Sequence, residues 1–371
     1  MSLPKLFTPI QLGGVTLPNR IVVAPMCQYS ANDGCMSEWH DMHVAQFGIS
    51  GAGLFVVEAT GIEREGRITH GCTGLYSDEN EAAMARRVAY YRRLTKNAIG
   101  VQIGHAGRKA STHPPFAGGK PLGGADSPWQ TVAPSAIAFA DGWHVPQELS
   151  TQGIKKLTDQ FVSAAMRAKR AGFDVVELHS AHGYLLQQFL SPLSNQRKDE
   201  YGKNRMKFPL EVAEAVRAVW PKERCLGVRI NGTDWAEGGF TPEDAVEYTA
   251  ALKRIGVDYV CVSGGATVPH AKIPVGPGYQ VGLADKVKKG VPAMAVRAVG
   301  MIADPDQAEE IVSSGKADMV AMARAFLDNP RWAWHAAERF GVRIDYPPQY
   351  ARSRADVWPG AKIARGEAAS V

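Results

Sequence analysis

The sequence predicts an α/β chain closed into a (β/α)₈ TIM barrel. Three observations lead there: eight short apolar runs, segments of helical periodicity between several of them, and polar or reactive residues gathered where the runs end. The runs cover residues 21–24, 54–57, 99–103, 175–178, 226–230, 259–262, 293–296 and 319–322. Their near-continuous apolarity suits strands buried on both faces. Residues 154–171 and 242–255 carry the helical period, and alternating β and α in eight units reads as a barrel with parallel strands. A barrel of this kind often exceeds 250 residues as one unit, so the 371 residues are expected to form a single domain, 1–371.

Taken in order, the first run leads into Pro25-Met26-Cys27 and the second into Glu58. The third holds Gln102 and the fifth Arg229, while the fourth is followed by His179 and the sixth by Ser263. Gly300 follows the seventh and Arg324 the eighth. The C-terminal edge of barrel strands is where this architecture builds its active sites. Residues 105–150, rich in Gly and Pro but holding Trp129, Phe139 and Trp143, are too long for a plain connection and are read as a lid inserted after the third strand. From about 341 to 371 the chain leaves the barrel, and Tyr346-Pro347-Pro348-Gln349-Tyr350 reads as an extended C-terminal arm.

Composition narrows the function. Hydrophobic residues make up 45% and charged residues 21%, with no uninterrupted apolar stretch long enough for a membrane span, so a soluble protein is expected. The opening MSLPKLFTPIQLGG lacks the basic, apolar and small-residue sections of a secretory signal, which points to the cytoplasm. Five cysteines without CxxC spacing argue against a disulfide framework, a zinc knuckle and a cysteine-ligated cluster. The net charge of +5 is spread along the chain, with no basic run or aromatic-basic stripe for nucleic acid.

His179-Ser180-Ala181-His182-Gly183-Tyr184 places two imidazoles and a phenol within six residues at the mouth. Two imidazole donors can converge on a carbonyl oxygen as negative charge develops, and a phenol can supply a proton to carbon. Arg229 brings the permanent cation needed beside the N1 and O2 edge of a reduced flavin, unless it pairs with a carboxylate such as Glu177. Gly300 and Arg324 stand where barrels bind phosphate through backbone N–H groups and an extra helix N-terminus. No GxGxxG follows a strand to open a helix, so a nicotinamide cofactor would have to stack transiently on a bound flavin.

Asn19-Arg20, then Ala24-Pro25-Met26-Cys27-Gln28-Tyr29, His105-Ala106-Gly107-Arg108-Lys109, Ala133-Pro134-Ser135-Ala136-Ile137, the His179/His182/Tyr184 set and Gly227-Val228-Arg229 occur in this order. With these motifs the chain resembles, over nearly its whole length, the old yellow enzyme family of FMN-dependent ene-reductases, in its bacterial thermophilic-like class. The resemblance implies that Ala24, Pro25, Met26, Cys27, Thr60, Gln102 and Arg229 line the flavin ring and that Gly300, Ala323 and Arg324 hold its phosphate. It implies His179 and His182 on the substrate carbonyl, Tyr184 as proton donor, Tyr29 as a second hydrogen bond to substrate and Cys27 as a tuner of flavin potential. A C-terminal arginine that reaches a partner's active site in this class is best matched by Arg352, with Arg354 beside it. Ala323 stands where the family carries glycine, the segment 195–205 is shortened, and Arg297 is unusual and has no role assigned.

The function so implied is an FMN-dependent NAD(P)H oxidoreductase that reduces the C=C bond of α,β-unsaturated carbonyl compounds. NADPH or NADH would act as transient reductant, no metal would be needed, and the protein would be a homodimer or dimer-based homo-oligomer. A metal-dependent barrel hydrolase built on His105, His179 and His182 is the competing enzyme, and a non-catalytic flavin-binding protein the third reading.

Overall fold

The computed structural model describes residues 3–365. Eight parallel strands close into a barrel: β1 (Ile21–Val23), β2 (Leu54–Gly61), β3 (Ala98–Gly104), β4 (Val175–Ser180), β5 (Cys225–Asn231), β6 (Tyr259–Ser263), β7 (Ala295–Ala298) and β8 (Met319–Met322). Each pairs with the next in sequence and β8 pairs with β1, so no edge is left open. Eight helices surround it: α1 (Glu38–Gly48), α2 (Asp78–Leu94), α3 (Thr151–Ala171), α4 (Lys207–Val219), α5 (Pro242–Ile255), α6 (Val281–Gly290), α7 (Pro305–Ser313) and α8 (Trp332–Arg339).

Local chemistry sets these elements. Ser150 starts α3 by accepting the Gly153 N–H, and Gly172 ends it in a left-handed conformation at φ +94°. Between them Ile154, Leu157, Phe161, Ala164, Ala165 and Ala168 form one buried face against the sheet, where each large apolar side chain contributes roughly 1.5–3 kcal/mol. Thr241, with Asp244 three residues on and Pro242 between, opens α5 as a capping box.

Strand alternation divides the barrel residues. Outward side chains join the helices in the main core, whereas Val22, Leu54, Val56, Ala98, Val175, Cys225, Tyr259, Cys261 and Met319 fill the interior. An antiparallel hairpin, Ile10–Leu12 with Val15–Leu17, packs Leu12 and Leu17 into the base of that interior and closes it. The barrel is thus a filled core with one open end.

Three boundaries differ from the sequence reading. β2 continues to Gly61 because a bulge at Glu58 absorbs the polar residue and lets pairing resume at Ala59. β7 lies two residues later than expected: Met294 closes a turn on Val291, and Arg297, a residue that looks like a strand breaker, sits inside the strand with its charge met by Glu177. The arm is not extended over its described part. Pro348–Ser353 is a 3₁₀ helix and Ala361–Ala364 a single helical turn, and Tyr346 stacks on Trp334 of α8 with ring centroids 4.0 Å apart. Residues 366–371 of the arm lie outside the described residues.

The inserted segment after β3 is built from short 3₁₀ turns and a two-residue pairing of Val132–Ala133 with Gln147–Glu148. Arg108 ties it down by donating to the carbonyls of Ile137 and Ala138, and Trp129 donates to the Glu65 carbonyl. The 195–205 segment is held as well: Arg197 donates to Pro134 and Leu149 carbonyls, which clamps it against the lid. Among the described residues no helix is long and apolar enough to cross a membrane, and all five cysteines are free.

Candidate active site

Period-2 alternation carries the interior stripe up to the mouth. On β4 it passes through Val175 and Glu177 to His179, on β5 through Cys225 and Gly227 to Arg229, and on β6 through Tyr259 and Cys261 to Ser263. His179 and Arg229 are register partners on adjacent strands, so imidazole and guanidinium stand side by side.

The turn after β4 then brings His182 and Tyr184 back over the same opening. His182 adopts φ +59°, held by its N–H on Asn231 Oδ1 at 3.0 Å and by Lys109 Nζ on its carbonyl at 2.8 Å. Gly183 is also left-handed, and a Cβ there would lie 2.4 Å from the Ala266 carbonyl oxygen, so the turn closes only with glycine. The His179 and His182 rings are 5.2 Å apart and the Tyr184 ring stands edge-on to His179 at 4.8 Å.

Hydrogen bonds fix the His179 tautomer. The Ala181 N–H donates to His179 Nδ1 at 3.3 Å, which leaves Nε2 carrying the hydrogen. His182 Nε2 is 2.7 Å from Ser263 Oγ, and that hydroxyl also reaches Gln280 Oε1 at 3.3 Å. Burial first, then the nearby Arg229 cation, holds both imidazoles well below their usual pKa, and Lys109 adds to the effect. Both are therefore neutral at physiological pH, and His179 carries its Nε2–H as a donor. Burial pushes Tyr184 well above the usual phenol value, so it keeps its proton.

The loop after β1 forms the facing wall. Glu58, aimed outward by its bulge, accepts the Gln28 N–H at 2.9 Å and is 3.1 Å from His40 Nε2, anchoring the Cys27–Tyr29 segment from behind. Tyr29 is left-handed at φ +52° and meets Phe116 of the lid edge-on at 6.0 Å. Enclosure pushes the Cys27 thiol well above its usual value, with Cys72 and Glu58 adding to it.

A cleft of about 690 Å³ opens beside this wall, lined by Ala24, His182, Arg229, Ser263, Gln280, Gly300, Ala323 and Arg324, among others. Arg229 Nε is buried there without a partner. Gly300 takes φ +109°, and Ala323 caps the short helix Arg324–Asp328, whose exposed first residue adds a cation to a free set of N–H groups. A flat ring at the Arg229 end and an anionic group at the Arg324 end fit this donor set.

Of the sequence-selected residues, Ala24, Arg229, Gly300, Ala323, Arg324 and His182 share the cleft. Thr60, His179 and Tyr184 line an adjoining recess together with Cys72 and His105. Pro25, Met26, Cys27 and Tyr29 lie on the loop that continues from Ala24. Gln102 is one layer deeper, its amide on Glu177. Arg352 is not brought to this mouth: it is exposed on the arm packed over α8. Arg229 does not pair with Glu177, whose oxygens are taken by Arg297, Tyr259 and Gln102. His105 cannot join a metal set with His179 and His182, because its Nε2 is on Glu63 and its Nδ1 accepts the Gly107 N–H. Among the described residues no group of three or more His, Cys, Asp or Glu is placed to hold a metal ion. Gln280 escapes sequence reasoning because no motif surrounds it, and Ser263 and Lys109 are visible only as a strand end and a motif member.

Comparison with known proteins gives the lineage. Residues 5–341 match the model of the NADH:flavin oxidoreductase / NADH oxidase family. The chain is 43% identical to an NADPH dehydrogenase of Geobacillus thermodenitrificans over 94% of its own length and 98% of the relative's. It is 41% identical to the NADPH dehydrogenase of Bacillus subtilis over the same shares. Among solved structures, morphinone reductase superposes with a TM-score of 0.74 at 30% identity, covering 94% of this chain and 93% of that one. With the barrel, the neutral histidine pair and the cation-ended cleft in place, the chain belongs to the NADH:flavin oxidoreductase / NADH oxidase family as an NAD(P)H-dependent flavoenzyme of the old yellow enzyme type.

Proposed function

We propose that the enzyme reduces the C=C bond of α,β-unsaturated carbonyl and related electron-poor compounds, with FMN in the cleft and NADPH or NADH as its reductant. The observation that carries this reading is the pair of neutral imidazoles beside a proton-bearing phenol at the Arg229 end of the cleft. When bound, FMN supplies the hydride. His179 Nε2–H and His182 hold the substrate carbonyl oxygen and stabilise the charge that grows on it without giving up a proton themselves. Tyr184 gives its proton to the carbon that does not receive hydride, and Tyr29 adds a hydrogen bond to substrate. Gly300, Ala323 and Arg324 hold the phosphate, while Ala24, Pro25, Met26, Cys27, Thr60, Gln102 and Arg229 surround the ring, with Cys27 as a tuner of its potential. The methyl of Ala323 leaves the backbone N–H groups of the helix start available. We place the enzyme in a dimer-based assembly in which Arg352 of one copy serves the other's mouth.

The test is phenol binding and cyclohexenone reduction by a His179→Ala/His182→Ala variant that retains FMN. Losing one such donor costs about 3 kcal/mol in the transition state, so turnover should fall by more than two orders of magnitude and phenols should no longer perturb the flavin spectrum. Wild-type turnover in that variant would rule the oxyanion role out. Tyr184→Phe should slow alkene reduction while NADPH still bleaches the flavin at its normal rate, and an equal loss in both half-reactions would remove the proton-donor role.

A further inference from the structure

Directly beneath the mouth lies a buried ion pair that the proposed chemistry does not use. Arg297 Nη2 pairs with Glu177 Oε2, and both side chains are fully enclosed. Tyr259 donates its hydroxyl to the same oxygen at 2.7 Å, and the Arg297 guanidinium lies over the Tyr259 ring at 4.8 Å. The ring reaches the barrel axis only because residue 227 is glycine: a Cβ there would stand 2.1 Å from Tyr259 Cζ. Such a pair adds little net stability over apolar residues of the same volume, so its presence asks for another explanation.

The other carboxylate oxygen supplies one. Glu177 Oε1 accepts Gln102 Nε2 at 2.8 Å. A carboxylate held by a guanidinium and a phenol can only accept, so the end of the Gln102 amide that faces it must be the NH₂. The carbonyl end is then fixed as the opposite one, and it has no partner among the described residues although Gln102 is only 1% exposed.

We infer that the Arg297–Glu177 pair is a positioning device that locks Gln102 with its carbonyl oxygen presented to the isoalloxazine, as acceptor for the N3–H of the pyrimidine edge. This rests on the proposal that Gln102 borders the flavin ring. In the flipped orientation an NH₂ would oppose that N–H, donor against donor, and Glu177 would face the amide oxygen. The lock excludes both. Arg297 thereby acts on the cofactor without touching it.

The experiment compares the FMN dissociation constant and the flavin midpoint potential of the wild type with Gln102→Ala and with Glu177→Gln/Arg297→Met. The double change keeps the volume, removes both charges and puts an amide that can offer either end beside Gln102. It should weaken FMN binding about three- to tenfold, the range of one hydrogen bond, and shift the midpoint potential in the same direction as Gln102→Ala. Adding Gln102→Ala to it should cause no further change, since the two act on one interaction. Arg297→Lys, which keeps Glu177 charged, should retain wild-type values, and Arg297→Met alone should move with the double variant. If the double variant and Arg297→Met match the wild type in both measurements while Gln102→Ala alters them, the pair is structural only: the inference falls and the reading of Gln102 stands. If Gln102→Ala also changes neither, that reading falls and takes the inference with it.

Discussion

Lys109 is a half-buried amine with no anion beside it among the described residues. Its ammonium donates to the carbonyls of His182 and Ala266 at 2.8 and 2.9 Å, joining two residues that are both left-handed, at φ +59° and +65°. It also lies over the faces of Phe139 and Tyr184, at 4.8 and 5.1 Å. Burial, and then the adjacent Arg108, lowers it to about 7. The unfolded chain holds this proton up to about pH 10.4, so between pH 7 and that value the unfolded state binds more protons and stability rises with pH. The gain is at most about 1.4 kcal/mol per unit. Urea unfolding of the flavin-loaded protein at pH 6.5, 8 and 9.5 should therefore show the wild type gaining on Lys109→Met across the series. Parallel curves would show that the ammonium is not desolvated. A neutral amine still has two N–H groups for two carbonyls, so His182 should keep its place throughout. The histidines act with the same sign in a lower window: their depressed folded values mean that stability is lost as pH falls below about 6.5, where the unfolded imidazoles take up protons.

At the scale of elements, β5 and β6 depend on one missing methyl group. Gly227 is the register partner of Tyr259 on the neighbouring strand, the ring lies over it, and Tyr259 cannot swing aside while Glu177 and Arg297 hold it. Gly227→Ala should destabilise by on the order of 3 kcal/mol, and Gly227→Ala/Tyr259→Leu should recover part of the loss; denaturant midpoints compare them. A midpoint for Gly227→Ala equal to the wild type would mean that the strands have slack. The same strands show what a sequence discloses. Apolar runs bounded by polar residues mark six of the eight closely, and the reactive residues at their ends do gather at one mouth. Glu58 and Arg297 defeat the pattern, because each stands just past the last apolar residue of its run, whereas a folded strand continues if a bulge turns the charge outward or a carboxylate meets it inside. Gln280 and the His40–Glu58 anchor are equally hidden, since their roles depend on hydrogen bonds across 17 and 18 positions of sequence rather than on spacing within a motif.

For the whole molecule, the arm changes what an exposed arginine can mean. Trp334 stacks on Tyr346 and meets Tyr350 edge-on, while Arg331 lies over both Trp334 and Tyr350, so the arm is fastened to α8 of its own barrel and leaves Arg352 exposed. Tyr350, Trp358 and Ile363 on the same arm are 44–67% exposed, an apolar surface suited to a second copy. Under the proposed pairing, Arg352→Ala should alter KM or substrate preference across a panel of enones while flavin reduction by NADPH is unchanged. A fully active monomer in light scattering, or identical kinetics across the panel, would exclude that role. The hairpin that seats Leu12 and Leu17 under the strands has a consequence for traffic. Among the described residues a vessel sealed at its base is left with one doorway, and under the proposed function the nicotinamide and the alkene are visitors that take turns at it. Each waits for the other to leave, and a crowd of either one keeps the other outside.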